Sequence, residues 1–425
     1  MSTTTAPAAA TAVAVAKPRN WKAPIAYLVF ALVAFVMFGV FGGDGTSRLA
    51  FSSNNDFFTV PPIDLPSRLT GYLVGLLLLA ISAYSFWTVS RDVVRRQLWM
   101  LLAFGFLFVL GLLVWIGTGA MVPVVWLLTG TLALSTPLVF GAMSGVISER
   151  VGVVNIAIEG QLLAGAFTSA LVSSITHNPY LGLLAALVAG AVVSVVLAVF
   201  SIVYVVEQVV VGVVLNMLVI GLTNFLYSAV LNKNPQLLNS PVKFQKEAIP
   251  GLSQIPIVGP LLFNNTFITY LMIVIVIVIY IGLFHTRWGL RVRAVGEHPK
   301  AADTVGIKVN ATRFWNVTLG GAIAGMGGAF FTLGAVGAFG KEITSGQGYI
   351  ALAALIFGRW NPLYATLAAI LFVFASNIKT LASQVGADIP PEFMAMIPYL
   401  VTILAVAGFV GRSRAPAADG KPYIK

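Results

Sequence analysis

Glu159 is the residue whose setting most invites chemistry. It is a carboxylate in the hydrophobic stretch Gly141-Ala-Met-Ser-Gly-Val-Ile-Ser-Glu-Arg-Val-Gly-Val-Val-Asn-Ile-Ala-Ile-Glu-Gly-Gln161, broken by the charged turn Ser148-Glu149-Arg150. Facing lipid, it would cost on the order of 2.5–3.5 kcal/mol or more, so it must face a bundle interior, a partner or water. Asn155 lies four residues earlier, and on one continuous helix the two share a face. The pair can line a solute pathway or a hinge beside it; alternatively, Glu159 sits near an interface and bonds the adjacent turn. Asn216, Thr223 and Asn224 form a second polar stripe, at spacings that stack on one helix side. Neutral amides and a hydroxyl suit an uncharged solute that donates and accepts hydrogen bonds, and equally suit bonds between helices. Asn316, and Ser376 with Thr380 and Ser383, extend the pattern.

Other chemistries find no support. The histidines, His177, His285 and His298, are scattered and make no metal cluster, and there is no Cys to form disulfides or thiolate sites. No paired carboxylates, HExxH motif or nucleophile with a nearby base occurs in the apolar segments. Gly320-Gly-Ala-Ile-Ala-Gly-Met-Gly-Gly328 follows no strand, so it reads as a small-residue packing seam, as do Gly141 with Gly145 and Gly71 with Gly75. Gly340-Lys341 fails the phosphate-loop pattern, because position 335 is Ala and 342 is Glu. The chain therefore carries no ATP site of its own.

The solvent that positions these residues is lipid. The chain is 58% hydrophobic and 9% charged, with a mean hydropathy of +0.94, far from the composition of a soluble domain. It reads as an all-α, polytopic membrane bundle. The net charge of +11 does not indicate a nucleic-acid partner, because the Lys and Arg residues sit in short loops and tails, where they set orientation. A span needs about 20 apolar residues. Candidates fall at 23–43, 69–89, 98–119, 123–147, 153–174, 180–205, 209–231, 266–285, 313–337, 345–358, 362–380 and 393–411, about twelve in all. The stretch 345–358 is too short to cross straight and reads as half of a broken or re-entrant helix. Residues 1–22 read as a disordered cytoplasmic tail, since Lys17, Arg19 and Lys22 follow its mildly apolar part rather than preceding it. With that tail inside, Arg91, Arg95 and Arg96, the 286–312 loop, Arg359 and the 412–425 tail all fall on the cytoplasmic side. Spans up to about residue 120 are rich in Leu, Phe and Val; from about 126 small and polar residues enter them. The former reads as accessory, the latter as a working core.

The richest charged island is His285 to Asn310. Within it Pro299 opens, and Gly306 closes, a run of helix formers that predicts a two-turn helix. A helix that short is marginal alone and needs a surface to rest on. The island is a docking surface or an ordinary positive-inside loop.

Three segments then align with a known family. Ser148-Glu-Arg-Val-Gly-Val-Val-Asn-Ile-Ala-Ile-Glu-Gly160, Arg287-Trp-Gly-Leu-Arg-Val-Arg-Ala-Val-Gly-Glu-His-Pro-Lys-Ala-Ala-Asp-Thr-Val-Gly-Ile307 and Gly358-Arg-Trp-Asn-Pro362 resemble the permease subunits of bacterial ABC importers. The group is the branched-chain amino acid and ribose permeases, with its nucleoside-importing branch, served by a BMP-type lipoprotein, the most similar. The resemblance covers about residues 126–411. It implies a non-catalytic permease core over 121–411 with a coupling loop at 286–312, preceded by a three-span extension over 23–120 that the family pattern lacks. It also implies a bacterial inner membrane location with both termini cytoplasmic. ATP would be bound by partner ATPase subunits; a second permease, often a different one, would complete the pore; an external solute-binding lipoprotein would deliver the small-molecule substrate. Arg293, Glu297, Pro299, Lys300 and Asp303 would then dock the ATPase, with Gly306 supplying the turn. Asn155, Glu159, Asn216, Thr223, Asn224 and Asn316 remain the pathway candidates. A ribose-type sugar or a branched-chain amino acid is the alternative cargo. An ion-coupled secondary transporter is the alternative class, with Glu159 as its one evident coupling group.

Overall fold

The computed structural model describes residues 21–52, 56–91, 98–386, 396 and 414–425. The terminal tail 1–20, Arg95, Arg96 and nearly all of the last expected span, 393–411, lie outside the described residues. Among the described residues ten helices are long and apolar enough to cross a membrane, and they coincide with ten of the expected spans. The stretch at 345–358 forms only an 11-residue helix, Gln347–Phe357.

Two compact units are distinguished. The first holds α1 (Lys22–Ala34), α2 (Ser67–Ser90) and nearly all of α3 (Leu98–Ile116). Its core is aromatic: Tyr27 lies 4.8 Å from Phe104 and Phe38 5.6 Å from Phe108, ring centre to ring centre. Gly71 and Gly75 let α2 press on the π-helical turn Phe35–Val40 that continues α1, since a methyl group at Gly71 would sit 1.9 Å from the Phe38 carbonyl oxygen.

The second unit begins with strands β1 (Thr46–Ala50), β2 (Ile63–Pro66) and β3 (Met121–Pro123), paired in the order β2-β1-β3. Then come α4 (Val124–Arg150), α5 (Ile158–Thr176), α6 (Pro179–Ala198) and α7 (Gln208–Ala229). A loop region follows with the short helices α8 (Pro235–Leu238) and α9 (Val258–Leu262) and the antiparallel pair β4 (Lys246–Ala248) and β5 (Asn264–Thr266). After α10 (Phe267–His285) come α11 (Arg287–Glu297), α12 (Pro299–Thr304), α13 (Val309–Ala329), α14 (Gln347–Phe357) and α15 (Pro362–Val385).

α13 is the central post. Its small-residue seam admits α5 and α6 at backbone contact: a methyl at Gly328 would meet the Leu162 carbonyl at 1.9 Å, and one at Gly190 the Gly321 carbonyl at 2.1 Å. Helix starts follow their sequence signals. Asn178 and Asn361 each accept hydrogen bonds from the first-turn amides of α6 and α15, and each precedes a proline at the first helical position.

Candidate functional site

α14 is half a span, and its start is built around Glu159. The carboxylate accepts from the Thr344 hydroxyl at 2.5 Å, the Gly346 amide at 2.8 Å and the Gly348 amide at 2.6 Å. These amides belong to the first turn of a helix whose own bonds cannot satisfy them, and the negative group meets the positive end of the helix dipole. Gly348 is required by contact, because a methyl there would lie 2.4 Å from the Glu159 backbone nitrogen. The other end of α14 leads to Trp360, whose indole N–H donates to Glu149 and whose carbonyl accepts from Arg150 Nε at 2.9 Å. Eleven residues at 1.5 Å each raise Glu159 about 16 Å above that end, near the middle of a core about 30 Å thick. The expectation that Glu159 could bond its adjacent turn near the surface is corrected: its partners are about 185 residues away in sequence.

Asn155 does not share a helix with Glu159. Residues 151–157 leave the helical path, with Gly152 at φ +90°, and α5 starts only at Ile158. Asn155 instead joins a buried network in which its amide donates to Ser144 Oγ (3.0 Å) and Gln161 Oε1 (3.2 Å), while Gln161 Nε2 donates to Asn155 Oδ1 (3.0 Å) and Ser194 Oγ (2.7 Å). All four residues are fully buried. The network ties α4, α5 and α6 to the loop before α5.

Asn216 of α7 completes the junction. Its Oδ1 accepts from the Gly160 amide at 2.8 Å, and its Nδ2 donates to the Ile156 carbonyl at 2.8 Å and Tyr349 Oη at 3.2 Å. Of the pathway candidates, then, Asn155, Glu159 and Asn216 gather at the start of α5. Asn224 does not join them; its amide reaches Glu342 Oε1 at 3.2 Å. Thr223 and Asn316 donate to carbonyls of their own helices, Val219 and Thr312.

Outward from this junction polar groups sit among exposed apolar ones such as Leu222, Phe225 and Ile350. Lys341, Glu342, Ser345 and Tyr349 are exposed, and Gln347 lines a groove with Ser376, Asn377 and Thr380. Asn224 lies 16 residues into α7, about 24 Å along its axis, so this flank runs through the outer half of the span. Such groups do not face hydrocarbon. The flank is suited to water or to another protein.

At the basic end of the bundle α12 forms as the sequence predicts. Gly306 takes φ +84°, its amide donating to the Asp303 carbonyl and the Ile307 amide to that of Ala302, a left-handed cap. Residues 414–425, read from sequence only as a tail, pack beside it. The Ala418 amide donates to the Gly296 carbonyl at 2.9 Å, the Ala417 amide to Glu297 Oε2 at 3.2 Å, and Lys425 pairs with Asp303 at 3.3 Å. Arg313, 1% exposed at the foot of α13, donates to the Lys421 carbonyl at 2.8 Å. Arg293, half-buried, lies over the Phe284 ring of α10 at 5.4 Å.

Sequence reasoning missed Thr344, Gly348, Tyr349, Gln161, Ser194 and Arg313. The available signal was Thr344-Ser-Gly-Gln-Gly348, a polar, glycine-flanked lead into an apolar run too short to span.

Comparison with known proteins agrees with this architecture. Residues 127–406 match the model of the branched-chain amino acid transport system permease component family. The guanosine ABC transporter permease protein NupQ of Bacillus subtilis is 42% identical over 304 residues, 69% of this chain and 95% of the relative. The nucleoside ABC transporter permease protein NupC of Lactococcus lactis is 38% identical, over 69% and 95%. The putative glucose ABC transporter permease protein TsgC13 of Haloferax volcanii is 30% identical, over 68% and 92%. No solved structure gives a significant match. A helical bundle with a broken span and a capped two-turn helix at its basic end, together with these matches, places the chain in the branched-chain amino acid transport system permease component family.

Proposed function

We propose that this chain is the membrane-spanning, non-catalytic subunit of an ATP-driven importer for nucleosides. The observation that carries the reading is the polar flank beside α14, where Tyr349 is exposed, Gln347 and Asn224 are half-buried, and the buried Asn216 donates to the Tyr349 hydroxyl. That chemistry matches a sugar-linked base without net charge. The 42% and 38% identities to permeases named for guanosine and nucleosides support it over a sugar or an amino acid. Lipid cannot cover the flank, so a second permease and the solute pathway lie against it.

The basic end faces the cytosol of a bacterial cell, by the excess of Lys and Arg there. α11 and α12 receive partner ATPase subunits, which bind and hydrolyse the ATP, through Pro299 and Lys300, with Glu297 and Asp303 holding the tail beside them, and a solute-binding lipoprotein delivers cargo at the opposite end. Nucleotide in the motor drives the cycle only if it binds one conformation better than the other. α14 is the element positioned to move: a half-helix held by Glu159 at its start and by Glu149 and Arg150 at its end. A secondary transporter fits less well, because the Glu159 carboxylate is already met by three donors.

The test is uptake by proteoliposomes holding the complete complex. Labelled guanosine should accumulate with hydrolysable ATP and not without it, and unlabelled nucleosides should compete where glucose and leucine do not. Accumulation of glucose or leucine in preference to nucleosides, or uptake independent of ATP, overturns the assignment.

A further inference from the structure

We propose that the C-terminal segment forms the second wall of the cleft in which the ATP-hydrolysing subunit docks, with Ile424 as its apolar contact. The inference rests on the function proposed above and adds a surface to it. α12 is a single short helix, and residues 417–425 pack along one side of it. Together they enclose a cleft of about 690 Å³, with Glu297, Pro299 and Lys300 on one side and Lys421, Tyr423 and Ile424 on the other.

The wall is built rather than incidental. Two backbone amides, those of Ala417 and Ala418, donate into the end of α11, and a buried arginine at the foot of α13 holds the Lys421 carbonyl. Tyr423 lies close to Asp303, and Lys425 pairs with the same carboxylate. Ile424 lies between these two anchored residues, so its backbone is fixed while its side chain stays 73% exposed. A single exposed apolar residue is ordinary. Here Val305, 75% exposed, ends the same two-turn helix, so apolar groups flank α12 on a segment that is otherwise charged.

The occupant follows from the chemistry. Lys300 and Lys421 line the cleft with Ile424, and Lys308 lines the neighbouring one with Val305, while the two acidic residues, Glu297 and Asp303, are engaged by the tail. A partner surface with an apolar patch and an acidic rim fits, and the surface is continuous with the segment already assigned to the motor. Movement passed to α12 would also reach α13 directly, through Arg313 and the tail.

The experiment uses the full chain in nanodiscs and the ATPase subunit that co-purifies with it. Ile424→Asp should weaken ATPase binding about tenfold, the scale of losing one interface anchor, and Lys421→Glu several-fold. Thermal unfolding should match the wild type, since neither side chain is buried. Equal affinity in both variants overturns the proposal, as does loss of binding to anionic lipid vesicles with motor affinity unchanged. If the tail only braces Arg313, these surface changes do nothing. Failure of the wild-type chain to capture any ATPase is a different result and sinks the functional reading itself.

Discussion

Glu149 and Glu159 are both buried carboxylates of the same permease core, ten residues apart in sequence, yet their surroundings differ in kind. Around Glu159 three donors come from one turn, 344–348, and the helix dipole points at the charge. Around Glu149 the Trp360 indole N–H donates and the Asn155 backbone lies close, while Asp419 arrives from the tail with Arg313, at the foot of α13, beside it. Arg313 Nε, Asp419 Oδ1 and Ser148 Oγ near it have no protein partner among the described residues. The mid-membrane site is closed on itself and can act as a rigid fulcrum. The basic-end cluster is assembled from three distant parts of the chain, so its strength depends on whether the tail stays docked. Saturation marks the part that holds; incomplete satisfaction marks the part that can be remade.

The largest effect should follow from breaking the closed site. Glu159→Leu leaves a hydroxyl and two amides unpaired in a dry interior, at about 1–3 kcal/mol each. The expected loss is on the order of 5 kcal/mol, read as a lower unfolding temperature in detergent, with uptake abolished. Glu159→Gln keeps one acceptor but turns a donor toward the Gly348 amide, so it should fall between. A stable, active Glu159→Leu variant would remove the distinction between the two regions.

The second effect is smaller and concerns pH. Burial lifts the Asp419 carboxyl from its ordinary value to about 7, opposed by the Gly420 amide and the Arg313 charge, with the Glu149 carboxylate also nearby. A docked tail therefore binds more protons than a free one between about pH 4 and 7. Docking is strongest at the acid end of that window and weakens as pH rises through it. Amide exchange of residues 417–421 should be slower at pH 5.5 than at pH 8 after correction for intrinsic rates, and Asp419→Asn should flatten the dependence. Faster corrected exchange in acid would show that the Arg313 charge, not burial, governs the carboxyl.

How far the sequence foretells these regions depends on the range of the forces involved. Hydropathy located the ten long spans because each is a local property of about 20 residues. α12 and its Gly306 cap were legible for the same reason, since proline and glycine act on their own backbone. The partners of Glu159 were not, because nothing local links a carboxylate to a turn 185 positions on. Asn155 was placed on the wrong element because the expected span, 153–174, was started five residues before α5 begins at Ile158. The tail was opaque for another reason: it docks largely through backbone amides and carbonyls, which every sequence possesses.

That mode of docking yields the smallest expected effect. The Lys425–Asp303 pair is the one salt bridge on the tail among the described residues, and Lys425 is 79% exposed. An exposed pair contributes about 0–1 kcal/mol, and salt screens it. Lys425→Ala should therefore change tail protection no more than about twofold, and raising salt to about 0.5 M should do no more. The Ala418 amide on Gly296 and the Arg313 guanidinium on Lys421 are nearly indifferent to ionic strength by comparison, because both lie away from water. If high salt alone releases the tail to full exchange, the basic end is an electrostatic clamp rather than a backbone dock. The contrast with the closed site around Glu159 would then be one of charge screening, not of how completely each region satisfies its polar groups.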